Sequence, residues 1–172
     1  AELARRAIEA ALAGKRFEPD DETKEKYSKK EACFVTLTKN GNLRGCIGSL
    51  VARQELWRDI IENAINAAFN DPRFPHLESS ELDNIKIEVS VLTKPRKITY
   101  KDVEDLKKKI KGKGVIISYG FHRATYLPQV WNEISDEEYF LSSLCAKAGL
   151  EPNLWKSKKL GVEIYDVKKF SE

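Results

Sequence analysis

Leu43-Arg44-Gly45-Cys46-Ile47-Gly48, preceded by Thr38-Lys39-Asn40-Gly41-Asn42, is the stretch on which the reading of this chain turns. Asn40-Gly41 supplies two residues that tolerate positive φ, as a tight hairpin turn requires. Ahead of it, Ala32-Cys33-Phe34-Val35-Thr36-Leu37 is rich in β-prone residues. Residues 32–38 and 43–50 are therefore expected to pair as a hairpin. Strand alternation then sends Leu43, Gly45, Ile47 and Ser49 to one face and Arg44, Cys46, Gly48 and Leu50 to the other. On that second face a guanidinium stands two residues from a thiol, and the next position has no side chain. A strand glycine often marks the close approach of a ligand or another backbone, and a cation beside a thiol favours the thiolate. One reading is a small clearing with Cys46 as nucleophile and Arg44 as an anion-binding fork. The other is that Gly45 and Gly48 permit tight packing, Arg44 pairs with a carboxylate and Cys46 is a small buried apolar group.

Working outward, the 172 residues suffice for one domain with a real core. A net charge of +3 against 33% charged residues allows nucleic-acid binding without demanding it. No apolar run approaches a membrane span, and no signal-peptide pattern opens the chain. The absence of an initiator Met points to processing or trimming. Cysteines at 33, 46 and 145 are odd in number and far apart, which favours reduced thiols in a cytoplasmic protein. Abundant lysine and glutamate, scarce glutamine and absent methionine lean toward a thermophile.

Residues 2–13 carry an apolar stripe at helical spacing that ends at Gly14, and residues 55–69 repeat it until Pro72 stops the helix. Lys15–Lys30 is expected to be a surface connection. Asn70-Asp71-Pro72-Arg73-Phe74-Pro75-His76 is a stiff polar loop in which Asp71 and Arg73 are close enough for an ion pair; Phe74 either serves the loop or plugs the core. Residues 85–92 alternate as a strand, and 96–100 suit another short one. In the helix expected over 101–111, acids come early and lysines late, as the helix dipole prefers, so the lysine run has a local explanation. It also lacks the interleaved aromatics of a nucleic-acid surface. Strands follow at 115–119 and 122–127, then Pro128–Glu133 leads into a helix that Ser135-x-x-Glu138 appoints with capping-box spacing. A last strand covers 161–167. With six or seven strands, mostly hairpin-linked, and about four helices, the fold class is α+β with a mainly antiparallel sheet. Residues 1–172 form one domain without repeats or linkers.

Phosphate-binding, dinucleotide, zinc-protease and CxxC signatures are absent, as is the serine elbow, so no metal and no cofactor is expected. A Cys46–His122 or Cys46–His76 pair remains compatible with the spacing.

Four stretches together resemble the AMMECR family (Alport syndrome, mental retardation, midface hypoplasia and elliptocytosis chromosomal region protein). They are Leu43–Gly48; Asn63-Ala64 through Ala67-Ala68-Phe69 with Asp71-Pro72-Arg73-Phe74; Glu81-Leu82 leading to Ile87–Leu92; and Tyr126–Val130 with Glu133, Phe140-Leu141 and Lys147-Ala148-Gly149. The resemblance runs from about residue 30 to the end. It implies two unequal lobes with a cleft between them and the hexapeptide nearby. It implies no single reaction: members are discussed as enzymes and as regulatory or nucleic-acid-associated factors. In some genomes they resemble one component of a set with Memo-type and radical-SAM proteins, so a Memo-type or radical-SAM partner is conceivable here. His76 departs from the usual residue of relatives, so a mechanism needing it would not extend to the family. Two functional expectations follow. In one, a pocket lined by residues 43–48 binds a small molecule, with Cys46 reactive, Arg44 gripping a carboxylate or phosphate, Gly45 and Gly48 making room, and Asp71, Arg73 and Glu133 at the rim. In the other, the chain is a non-enzymatic module that binds protein or nucleic acid through Arg44, Arg73 and the lysines.

Overall fold

The computed structural model describes all residues, 1–172. In chain order the helices are α1 Glu2–Leu12, α2 Asp21–Lys26, α3 Leu56–Phe69, α4 Val103–Ile110, α5 Glu137–Lys147 and α6 Leu154–Ser157. The strands are β1 Ala32–Lys39, β2 Asn42–Gly48, β3 Ile85–Leu92, β4 Arg96–Ile98, β5 Gly114–Tyr119, β6 His122–Tyr126, β7 Gly161–Tyr165 and β8 Val167–Ser171. Two 3-10 turns, Ser79–Asn84 and Pro128–Asn132, complete the fold. It is α+β, as expected, but its strands form two four-stranded sheets, and two short helices join the expected four. No helix is long and apolar enough to cross a membrane.

The chain divides into two compact units. The first comprises Ala1–Leu92 with Lys168–Glu172, and the second Thr93–Val167. In the first unit the strand order is β2-β1-β3-β8. β1 pairs antiparallel with β2 on one side and β3 on the other. The β1–β2 turn has Asn40 at φ 52° and Gly41 at φ 81°, the conformation the Asn-Gly pair suggests. Leu37, Ile87, Val35 and Val89 point to one face of this sheet and pack against Ala4 and Ile8 of α1 and Ile60, Ala64 and Ala67 of α3. Gly14 follows α1 at φ 68°, the left-handed C′ position. The last strand enters this sheet from the far end of the sequence. Arg5 of α1 forms a bidentate pair with Glu172 just after β8, at 2.6 Å for both bonds.

The second unit orders its strands β4-β7-β5-β6, all antiparallel. Val115 and Ile117 of β5 and Val162 and Ile164 of β7 pack with Leu106, Ile110, Phe140, Leu141, Leu144 and Trp155. Trp131 stacks on Phe140 with 3.9 Å between centroids.

Three sequence expectations are revised. Asp20 accepts from the Thr23 amide and starts α2 inside the stretch read as a connection. Asp136, not Ser135, caps α5, accepting from the Tyr139 amide at 2.7 Å. A further strand, β8, follows β7; its side chains are largely exposed, so it carries no apolar run that would announce it.

Candidate functional site

Arg44 and Cys46 do not share a face of β2. Leu37 of β1 pairs with Gly45, while the next residue, Thr38, pairs with Leu43, leaving Arg44 as an extra residue in the edge strand. This β-bulge resets the alternation. Leu43 and Cys46 lie on the Thr36–Thr38 face, and Arg44 turns into the protein, 8% exposed. There its Nε and Nη2 donate to the two carboxylate oxygens of Glu81 at 3.0 and 2.9 Å, and Nη2 also donates to the His76 carbonyl at 3.3 Å. Lys39 Nζ donates to the same carboxylate at 2.9 Å. These cations, with the Glu78 amide, hold the Glu81 carboxyl at about 2, overcoming the opposing effect of burial. Arg44 Nη1 is buried without a protein partner. The guanidinium thus clamps the hairpin to the segment ahead of β3.

Neither glycine opens a clearing. A Cβ on Gly45 would stand 2.1 Å from the Ala67 carbonyl oxygen, so the missing side chain lets β2 lie directly on α3. A Cβ on Gly48 would stand 2.3 Å from the Phe34 ring and 2.5 Å from the Cys33 carbonyl oxygen. The Phe34 side chain occupies the space beside Gly48 that the sequence leaves bare.

Cys46 is half-buried, whereas Cys33 and Cys145 are fully buried and all three are unpaired. Burial pushes the Cys33 thiol far up, with the nearby Asp59 carboxylate adding to it, and burial also raises Cys145. The Cys46 Sγ lies 3.2 Å from the hydroxyl of Thr36, its cross-strand partner. Its backbone is pinned on the open edge of the sheet. The Cys46 amide donates to Asp71 Oδ2 at 2.9 Å, and its carbonyl accepts from Arg73 Nη2 at 3.2 Å. Asp71 and Arg73, expected to pair, do so through Nε–Oδ1 at 3.0 Å and Nη2–Oδ2 at 2.7 Å. The Asp71 side chain is 2% exposed, that of Arg73 54%. Arg73 and the amides of Cys46 and Arg73 drive the Asp71 carboxyl well below the usual range. Asp71 in turn raises Arg73, with Cys46 contributing in the same direction. Arg73 is therefore the cation joined to the Cys46 backbone, and its Nη1 makes no hydrogen bond within the protein. Phe74 is half-buried under that guanidinium and is not part of the core cluster.

The histidines do other things. His122 Nδ1 bonds the Ala148 carbonyl at 2.9 Å, and the exposed His76 ring meets Phe69 edge-on. Neither bonds Cys46. Glu133 belongs to the second unit, exposed, at the end of the 3-10 turn Pro128–Asn132. No group of three His, Cys, Asp or Glu side chains gathers as metal ligands would.

The sequence model of the AMMECR1 family matches residues 1–170. The chain belongs to the AMMECR1 family. It is 43% identical to Protein NEQ441 of Nanoarchaeum equitans, over 100% of this chain and 98% of that one. Protein MJ0810 of Methanocaldococcus jannaschii is also 43% identical, over 94% of this chain and 82% of its own length. The crystal structure titled Uncharacterized Protein PH0010, from Pyrococcus horikoshii, superposes with a TM-score of 0.86 at 40% identity, covering 99% of this chain and 88% of that one. Within this AMMECR1 chain, Thr36, Lys39 and Glu81 are the neighbours of the hexapeptide that sequence reasoning left without a role. Glu81 stood in one of the resembling stretches, but nothing in its spacing tied it to Arg44. Register alone places Thr36 opposite Cys46.

Proposed function

We propose that this AMMECR1-family protein binds a small molecule at the residue 43–48 strand, with Cys46 as the reactive group. One observation carries the reading: Cys46 is the cysteine of the three that is not buried, and it sits between the Thr36 hydroxyl and the Asp71–Arg73 pair that fixes its backbone. The exposed side of the Arg73 guanidinium offers donors to a molecule that approaches the sulfur. Arg44 serves this site by holding the hairpin to Glu81 and the His76 carbonyl. Three unpaired thiols suit a cytoplasmic setting.

The test is the pH dependence of iodoacetamide labelling at each cysteine, resolved by mass spectrometry. Cys46 is expected to label in the folded protein faster than a model thiol, while Cys33 and Cys145 label only on unfolding. Labelling of Cys46 no faster than a model thiol at every pH overturns the reading. A docking surface for another protein would then be favoured by the exposure of Leu43 (43%) and Val51 (51%) beyond either side of Cys46 in sequence.

A further inference from the structure

Arg73 is the side-chain cation that bonds Cys46. Its guanidinium is oriented by two bonds to a nearly inaccessible carboxylate and a third to the Cys46 carbonyl. Asp71 is itself fixed by the amides of Cys46 and Arg73, at 2.9 and 3.1 Å. The fork therefore keeps one orientation without a ligand, while over half of its side-chain surface remains open to one. Its Nη1 makes no internal hydrogen bond, so it retains donors for an oxyanion. Arg44 lacks this freedom. Two of its nitrogens are bound to Glu81, and its third is buried.

We infer that Arg73 makes the Cys46 site selective for anionic electrophiles: small molecules that carry a carboxylate or phosphate beside the carbon that meets the thiolate. This rests on the proposed function and adds the class of ligand. In the neighbourhood of the thiol, Thr36 contributes a neutral hydroxyl and Phe34 an apolar ring over Gly48. The guanidinium bonded to the Cys46 carbonyl is the group that distinguishes an anion from a neutral molecule. Asp71 offsets much of its charge at long range, so selection acts through direct hydrogen bonds at short range.

Iodoacetate and iodoacetamide form the test pair, since they share a reactive carbon and differ in charge. In both, the thiol first loses its proton to solvent. The sulfur then forms a bond to the methylene carbon as the carbon–iodine bond breaks and iodide leaves with the electron pair. At an ordinary thiolate, charge repulsion makes iodoacetate the slower reagent. At Cys46 the iodoacetate/iodoacetamide rate ratio should exceed that of free cysteine in the same buffer by about tenfold, the scale of one charge-assisted hydrogen bond. Arg73→Gln should return the ratio to that of free cysteine while iodoacetamide still labels Cys46. Arg73→Lys, which keeps the charge and loses the fork, should fall between. Inorganic phosphate should slow iodoacetate more than iodoacetamide in the wild-type protein. If both reagents are slow at Cys46, the proposed function falls and the inference with it. If iodoacetamide is fast but the ratio equals that of free cysteine, only the inference falls. A high ratio that survives Arg73→Gln, with the fold intact by circular dichroism, also overturns it. Should Arg73→Gln not fold, the wild-type ratio, the phosphate competition and Arg73→Lys decide the matter.

Discussion

Gly45 has a role that can be tested by adding one methyl group. Its would-be Cβ lies 2.1 Å from a backbone oxygen of α3 and 3.1 Å from the adjoining carbonyl carbon, so no side-chain rotation can relieve the clash. Gly45→Ala should cost about 1–3 kcal/mol, read as a lower urea midpoint with unchanged m-value. Gly48→Val acts for a different reason: it displaces the Phe34 ring and meets the Cys33 carbonyl. Glu81 offers a second test. Glu81→Gln leaves the Arg44 guanidinium buried without its carboxylate, which should destabilise by about 3 kcal/mol or more. Combining it with Arg44→Met should cost clearly less than the sum of the two single changes, because the double variant leaves no unpaired charge. Additive losses in denaturant titrations would refute that coupling.

At the scale of elements, the 70–76 loop completes an edge strand. β2 has β1 on one side only, so half of its backbone groups need other partners. At Cys46 these come from Asp71 and Arg73, a side-chain substitute for a neighbouring strand. The same device recurs at Cys33, whose amide donates to Asp59 of α3 at 2.9 Å and whose carbonyl accepts from Asn63 at 3.2 Å. Asp71→Ala should therefore raise hydrogen exchange of the Cys46 amide at least about tenfold, with the Cys33 amide unchanged. Equal acceleration along all of β1 and β2 would mean that the loop supports the whole hairpin rather than this one residue. The α4 lysines also find their explanation at this scale. Lys107 pairs with Glu104 and Glu138, Lys109 with Asp105, and Lys111 with Glu137, so the run laces α4 to itself and to α5.

For the whole molecule, these carboxylates predict how stability changes with acid. Glu81 is held at about 2 and Asp71 is also strongly lowered, against unfolded values of about 4.3 and 3.9. A folded-state value below the unfolded one means that the unfolded chain binds the proton more readily. The stabilisation is thus fully present above about pH 5 and is lost as pH falls through the 4-to-2 range. Denaturant titrations at pH 7, 5 and 3 should show the main loss between the last two. Glu81→Gln should be less stable at pH 7 but flatter across that interval. Exposed pairs such as Lys24–Glu18 should contribute little, and less still in salt.

Much of this architecture was legible in the chain itself. Local rules sufficed for the Asn40-Gly41 hairpin, for α1 and α3 with their apolar stripes, and for the halt at Pro72. The Asp71–Arg73 pair was legible too, since two residues of separation across a proline leave few alternatives. What the sequence concealed depends on contacts between distant segments. The bulge at Arg44 is a mismatch of register between two strands, and no property of either strand alone encodes it. It separates the Arg44 guanidinium from the thiol that alternation had placed beside it, and the guanidinium that bonds Cys46 is that of Arg73, 27 residues away in sequence. Glu81, Phe34 and Thr36 enter for the same reason, as partners chosen by pairing and packing. The sequence by itself determined most of the elements and the family, because backbone preference and hydrophobic period act over a few residues. Only the tertiary structure decided which guanidinium bonds Cys46, because that choice was made where strands, helix and loop meet.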